Sequence, residues 1–183
     1  MKEARRRYPR FALCGLNCGL CPMYHISEAS HCTGCGGEGR PMCPILRCSE
    51  QHGQVEFCSW CEAYPCERYQ EDDPYDSFLP TRNVRGDLAL LQEEGLDSYR
   101  TMLDEKVELL KFLLAHYNDG RRKTLFCTAI NLLPLADCRE VTAQIQASAT
   151  PEMTLKEKGA LAASLLQAKA EERQISLKLR RKK

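Results

Sequence analysis

Aromatic residues are scarce in this chain, at 7% of 183 positions with a single tryptophan, Trp60. Long apolar runs are missing altogether. No stretch nears the roughly eighteen apolar residues of a membrane helix, so none is expected. Residues 1–10, MKEARRRYPR, lead into Phe11-Ala12-Leu13, and Cys14 and Gly15 stop that run far short of a signal-peptide core. A chain read this way is expected in the cytoplasm. Neither sign of charge dominates: the formal net charge is +1, which names no partner. Three nucleotide and metalloprotease signatures are absent, G-x-x-x-x-G-K-[ST], G-x-G-x-x-G before a helix and H-E-x-x-H. The acids Glu62, Glu67, Glu71, Asp72, Asp73 and Asp76 crowd one polar stretch, where solvation is explanation enough. No acid–base pair stands out from that background. The sequence leans away from an enzyme.

What it has is cysteine. Twelve are present, and all but Cys127 and Cys138 fall in one block: Cys14-x3-Cys18-x2-Cys21-x10-Cys32-x2-Cys35-x7-Cys43-x4-Cys48-x9-Cys58-x2-Cys61-x4-Cys66. Such density means a secreted disulfide framework or a metal site, and the missing leader favours metal. The pairs Cys18/Cys21, Cys32/Cys35 and Cys58/Cys61 each let one tight turn aim two sulfurs at one ion, and tetrahedral zinc takes two such pairs. Glycine follows Cys14, Cys18 and Cys35, where it permits the turn and lets backbone N–H groups approach sulfur. All ten cysteines of the block are therefore candidate ligands for two or more zinc ions. One pairing closes Cys32, Cys35, Cys43 and Cys48 as a site and brings the flanking triples together. His25, His31 and His52 lie inside the block as further donors, with exposed or supporting roles the default.

Iron–sulfur is the alternative cofactor, since four-cysteine sites serve both. Cys14-x3-Cys18-x2-Cys21 matches the three-cysteine signature of radical S-adenosylmethionine enzymes. Those enzymes need a repeating βα barrel, which nothing here supplies. Elsewhere Cys127 reads as a small buried hydrophobe, Cys138 as a thiol that reacts only if exposed, and His116 as a satisfier of helix-end carbonyls. Trp60 is expected to shield the metal site from water.

Two halves differ in how they hold together. Residues 12–80 contain thirteen Val, Ile, Leu, Met, Phe or Trp; residues 81–183 contain twenty-nine. The first half, with Gly34, Gly36, Gly37, Gly39, Pro41, Pro44 and Pro65, shows no sustained period and reads as loops and turns. So little apolar mass does not offset ordering entropy, whereas structural zinc contributes about 10 kcal/mol or more. The second half reads as helices. One runs from an Asp97 cap to Asn118-Asp119-Gly120, a buried one spans Thr124 to Leu133 before Pro134, and capping boxes at Asp137/Glu140 and Thr154/Glu157 open two more. The expected fold is mainly α: a loop-rich metal-binding module over 11–80 packed on a bundle of about four helices over 81–183.

The stretches CGLNCGLCPMY, CTGC, CPILRC and FCSWCEAYPCERY resemble the bacterial and archaeal family catalogued as domain of unknown function 3795. The likeness covers roughly residues 11–70 and implies a cysteine-rich, zinc-binding module with no assigned activity. The reading is thus a metal-binding structural or interaction module, with an iron–sulfur redox or sensor protein and a zinc-dependent enzyme as alternatives. The basic ends, five basic groups in residues 1–10 and Lys178-Leu179-Arg180-Arg181-Lys182-Lys183, read as solvated termini or as a patch for a protein or nucleic-acid partner.

Overall fold

The structure, a computed structural model, describes residues 5–27, 29–71 and 73–182. Lys2 and Lys183 of the basic ends, and Asp72 of the acidic stretch, lie outside these. Among the described residues six α-helices form: α1 (Pro44–Gln51), α2 (Val84–Glu94), α3 (Leu96–Tyr117), α4 (Lys123–Leu132), α5 (Leu135–Ser148) and α6 (Leu155–Glu172). Among the described residues there is no strand, and the fold is mainly α.

Helix α3 is the axis on which the others pack, touching α2, α4, α5 and α6. Its buried residues Tyr99, Leu103, Val107, Leu110, Leu113 and Tyr117 recur at three- and four-residue spacing, one apolar face of a helix. Each large side chain buried this way contributes about 1.5–3 kcal/mol. Helix α4 is buried from Phe126 to Asn131, as its all-round apolar sequence requires, and stops before Pro134. Thr154 and Glu157 make the expected capping box: the Glu157 N–H donates to Thr154 Oγ1 at 3.3 Å, and the Thr154 N–H to Glu157 Oε2 at 2.8 Å.

Two expected caps are not used as such. Gly95, at φ +83°, both ends α2 and begins α3, so Asp97 falls inside the first turn instead of capping it. Helix α5 starts straight after Pro134, and the Asp137 carboxylate turns to Arg173 of the following chain, with both N–H···O distances 2.7 Å. Propensity favours a cap at each aspartate, but a tighter neighbouring constraint wins. Helices α1 and α2 were also missing from the pattern of loops followed by about four helices. Helix α1 is eight residues long, too short to show a period, and Cys43 caps it with its sulfur.

The cysteine-rich segment joins the same apolar core as the helices. Phe11 lies between Phe57 and Tyr99, with ring centroids 4.9 and 4.4 Å away. Beneath it runs a polar seam. Asn17 Nδ2 donates to Asp87 Oδ2 at 3.0 Å and to Asn131 Oδ1 at 2.9 Å, Tyr99 donates its hydroxyl to Asn17 Oδ1 at 2.9 Å, and Lys106 Nζ donates to Asn131 O at 3.3 Å. The turn before Cys18 is thereby tied to α2, α3 and α4.

The basic C-terminal segment is strapped down, contrary to the reading of a solvated end. Asp76, its side chain fully enclosed, accepts from Arg82 Nη1 at 3.0 Å, Arg180 Nη2 at 3.0 Å and the Arg180 N–H at 2.8 Å. Burial alone would raise the Asp76 pKa, yet the Arg180 guanidinium and N–H and the Thr81 N–H hold it well below the usual carboxylate range. Removing the guanidinium with Arg180→Ala is expected to cost about 1–3 kcal/mol in thermal or urea unfolding at pH 7. A depressed pKa adds stability above the unfolded value of 3.8 and loses it as pH falls toward the folded one. The deficit should therefore narrow in unfolding curves taken below that pH.

Candidate metal centre

Two CxxC pairs are built alike. The 3-10 turns Cys18–Leu20 and Cys58–Trp60 each close with a Cys-to-Cys backbone bond, Cys21 N–H to Cys18 O at 3.1 Å and Cys61 N–H to Cys58 O at 3.0 Å. The bond before each matches, Leu20 N–H to Asn17 O and Trp60 N–H to Phe57 O. So does the one after, Tyr24 N–H to Cys21 O and Tyr64 N–H to Cys61 O. The shared unit is C-x-x-C-x-x-Tyr, a short repeat not singled out in the sequence. The equal spacing of Tyr24 and Tyr64 behind their cysteines was the available signal. Cys32/Cys35 lacks it, with Glu38 at the tyrosine position.

Backbone N–H groups reach several sulfurs. The Gly34 N–H points at Cys32 Sγ (3.4 Å) and the Leu46 N–H at Cys43 Sγ (3.3 Å). Cys14 receives one from Leu16, and Cys21 from Met23 and Tyr24. Gly34 is needed for its own turn: it sits at φ +88°, and a Cβ there would lie 2.3 Å from Pro9 O. That contact accompanies the Cys35 N–H bond to Pro9 O at 2.9 Å. N–H donors of this kind stabilise thiolate over thiol.

The cysteines divide between two neighbourhoods. Cys48 from α1, Cys58 and Cys61 from their turn, and Cys66 line one small cavity of about 30 Å³, with Tyr64, Tyr69 and His52 beside them. Burial pushes the Cys58 thiol up to about 11, and the adjacent Cys66, Cys48 and Cys61 add to the effect. Cys18 belongs to the other group: burial raises its thiol far above the ordinary value, and the nearby Cys35, Cys14, Cys21 and Cys32 add to the effect. Burial likewise lifts Cys14 to about 12, with Cys35, Cys58 and Cys43 nearby. This differs from a site of Cys32, Cys35, Cys43 and Cys48. Helix α1 separates the last two, since Cys43 caps its start while Cys48 lies a turn further on, towards Cys58.

All twelve cysteines are free thiols. Among the described residues, no three His, Cys, Asp or Glu side chains stand at ligand spacing as they are. The donor chemistry of the four-cysteine cavity nevertheless suits a tetrahedral thiophilic ion: four sulfurs, a small space and, among the described residues, no competing carboxylate on its wall.

The histidines take different positions. His25 Nε2 bonds Gly19 O at 2.7 Å and His31 Nδ1 bonds Ser27 O at 3.0 Å. His52 alone reaches the four-cysteine cavity, its Nδ1 lying 2.8 Å from Cys48 O and 3.6 Å from Cys48 Sγ. Trp60 does not shield the cavity. It is 46% exposed and stands edge-on to Phe57, while Tyr64 and Tyr69 line the cavity. Cys127 and Cys138 are fully buried, so Cys138 meets no reagent, and burial raises their thiols to about 12 and about 11. Cys127 is buried as expected, and Cys21 of the cysteine block lies near enough to raise its thiol further. His116 packs on Phe112, with ring centroids 4.8 Å apart.

Ten cysteines, two like CxxC turns and sulfur-directed N–H groups sit in one contiguous stretch. Residues 10–71 match the family described as Protein of unknown function (DUF3795). The DUF3795 segment thus takes in every cysteine from Cys14 to Cys66, both C-x-x-C-x-x-Tyr turns and α1. Helices α2 to α6 lie beyond it, although Asn17 within the segment is bonded to Asp87 and Asn131 outside it. No curated protein and no solved structure matches the chain. No helix among the described residues is long and apolar enough to cross a membrane.

A second cavity, of about 340 Å³, opens where this segment meets α2. Its wall includes Cys14, Leu16 and Tyr69 from one side and Thr81, Val84 and Arg85 from the other.

Proposed function

We propose that the chain is a zinc–thiolate protein whose metal folds the cysteine-rich segment into a structural or interaction module. The observation that carries this is the convergence of Cys48, Cys58, Cys61 and Cys66 on one small cavity. The group around Cys18 supplies a second centre, with Cys14, Cys21, Cys32, Cys35 and Cys43 as its candidate ligands. Zinc bound there would neutralise thiolates that burial otherwise disfavours, and would replace the apolar mass the segment lacks. Two or more ions follow from ten donors.

Elemental analysis of anaerobically purified protein tests the reading. Two or more zinc per chain is the expected result, and Cys61→Ser should lower the content by one ion. A single ion per chain would rule out two centres. Brown protein carrying iron and acid-labile sulfide would transfer both sites to the alternative cofactor, a cluster.

A zinc-dependent enzyme is the second reading, and the cavity beside Cys14 favours it. It needs an ion with an exchangeable position. Cobalt-substituted protein distinguishes the two: a visible spectrum altered by an added small thiol supports the enzyme, and an unaltered one supports the closed module.

A further inference from the structure

The basic N-terminal segment separates in the fold. Arg6 turns inward, donating from Nη1 to Phe11 O at 2.9 Å and pairing with Glu56 at 3.3 Å. Arg7 and Arg10 instead line a cleft of about 210 Å³, and Arg100 reaches the same cleft from α3. Among the described residues Asp104 is the one carboxylate on its wall, and Arg10 holds it at 2.9 Å.

Arg7 and Arg100 share the ring of Tyr8, their Cζ atoms 5.3 and 5.0 Å from its centroid. Among the described residues Arg100 has one loose acidic partner, Asp97, 3.8 Å away, whose carboxylate is 99% exposed and so well screened. Two guanidiniums gathered on one ring repel each other and concentrate positive potential in the concavity they line. The ring also restricts their rotamers, so less freedom is lost when an anion arrives. Each guanidinium presents a planar fork that matches two phosphate oxygens.

We infer that this cleft binds the phosphate group of a small phosphomonoester, held between Arg7 and Arg100. The volume suits a small ligand, and Tyr8 already stacks on guanidiniums instead of offering a face to a base. The inference uses none of the cysteines, so it stands apart from the proposed metal centres.

Calorimetric titration of the full, metal-loaded chain at low salt, with inorganic phosphate and with phenyl phosphate, tests it. Both should bind one site and compete. Arg7→Gln and Arg100→Gln should each weaken binding about tenfold or more, and Arg100→Lys, which keeps the charge but loses the fork, should fall between. Arg121→Gln, in the loop between α3 and α4, should leave it unchanged. Arg7 and Arg100 are exposed, so unfolding midpoints should stay at the wild-type value. No saturable binding, or equal affinity in the glutamine variants, would overturn the site. A single-stranded oligonucleotide that binds and is not displaced by phenyl phosphate would overturn it too, giving the cleft to a nucleic-acid chain.

Discussion

If zinc folds the cysteine-rich segment as proposed, a strong chelator should unfold residues 12–80 and leave most of the helical signal in place. Residues 12–80 contain thirteen large apolar side chains against twenty-nine in residues 81–183. Few of the thirteen are enclosed: Leu13, Leu20, Leu46, Phe57 and Leu79. Their burial together is comparable to one structural zinc, at about 10 kcal/mol or more. Without metal, the thiols of Cys14, Cys18 and Cys58 are desolvated with no compensating cation. Helices α3 to α6 share the apolar core with this segment but supply most of it, with Leu110, Ile130, Val141 and Leu166 far from the ten-cysteine block in sequence. Limited proteolysis should therefore cut the cysteine-rich segment at least tenfold faster after chelation, while far-UV circular dichroism falls only modestly. Unchanged protease resistance would sink the metal-stapled picture. Zinc must also displace thiol protons, so re-addition to weakly buffered apoprotein should release up to four protons per ion at the Cys48, Cys58, Cys61 and Cys66 site.

Lys106→Met is expected to cost about 1.5–3 kcal/mol near pH 7, since it removes a buried charged donor to Asn131 O. Lys106 is buried and Asp87 half-buried in the seam under Asn17. Burial raises the Asp87 carboxyl to about 6, against the lowering effects of Lys106, Asn17, Asn83 and Tyr99. Burial also lowers Lys106, opposed by Cys138 and Asp87. Methionine fills the space but removes a positive charge that favours the ionised Asp87 carboxyl. The sign with pH follows. A carboxyl raised from 3.8 to about 6 gives stability that is full below the unfolded value and lost as pH rises through the folded one. The variant pushes that pKa higher still, so its deficit should be largest at pH 7–8 and shrink towards pH 5, where Asp87 protonates. Asp87→Asn should flatten the wild-type dependence between those two values. Urea unfolding at both ends of the range is the measurement, and a deficit independent of pH would disprove the coupling.

That seam also bears on the cysteine turns. Asn17 immediately precedes Cys18, and its amide is held by Asp87 and Asn131 while its carbonyl oxygen Oδ1 accepts from Tyr99. The first C-x-x-C-x-x-Tyr turn is thus anchored to three helices. The second leans on α2 more lightly, through Gln92 Nε2 to Ser59 O at 2.8 Å.

Much of this protein was legible in its residues alone. Cysteine spacing named the block from Cys14 to Cys66, because a sulfur pair on one turn is a local matter. Helical periodicity located α3 and α4, and Thr154 with Glu157 marked the start of α6, because caps and apolar faces repeat within a few residues. Other features needed the assembled chain. Which cysteine stands beside which depends on α1 separating Cys43 from Cys48, and an eight-residue helix leaves no period to read. Asp97 and Asp137 look like caps until Gly95 and Arg173 compete for their places. Asp76 looks solvated until Arg180, more than a hundred residues away, closes on it. Arg7 and Arg100 look like ordinary surface charge until the ring of Tyr8 gathers them. Local chemistry is written in short spacings; charge pairing and sulfur grouping depend on contacts between distant segments, which only tertiary packing decides.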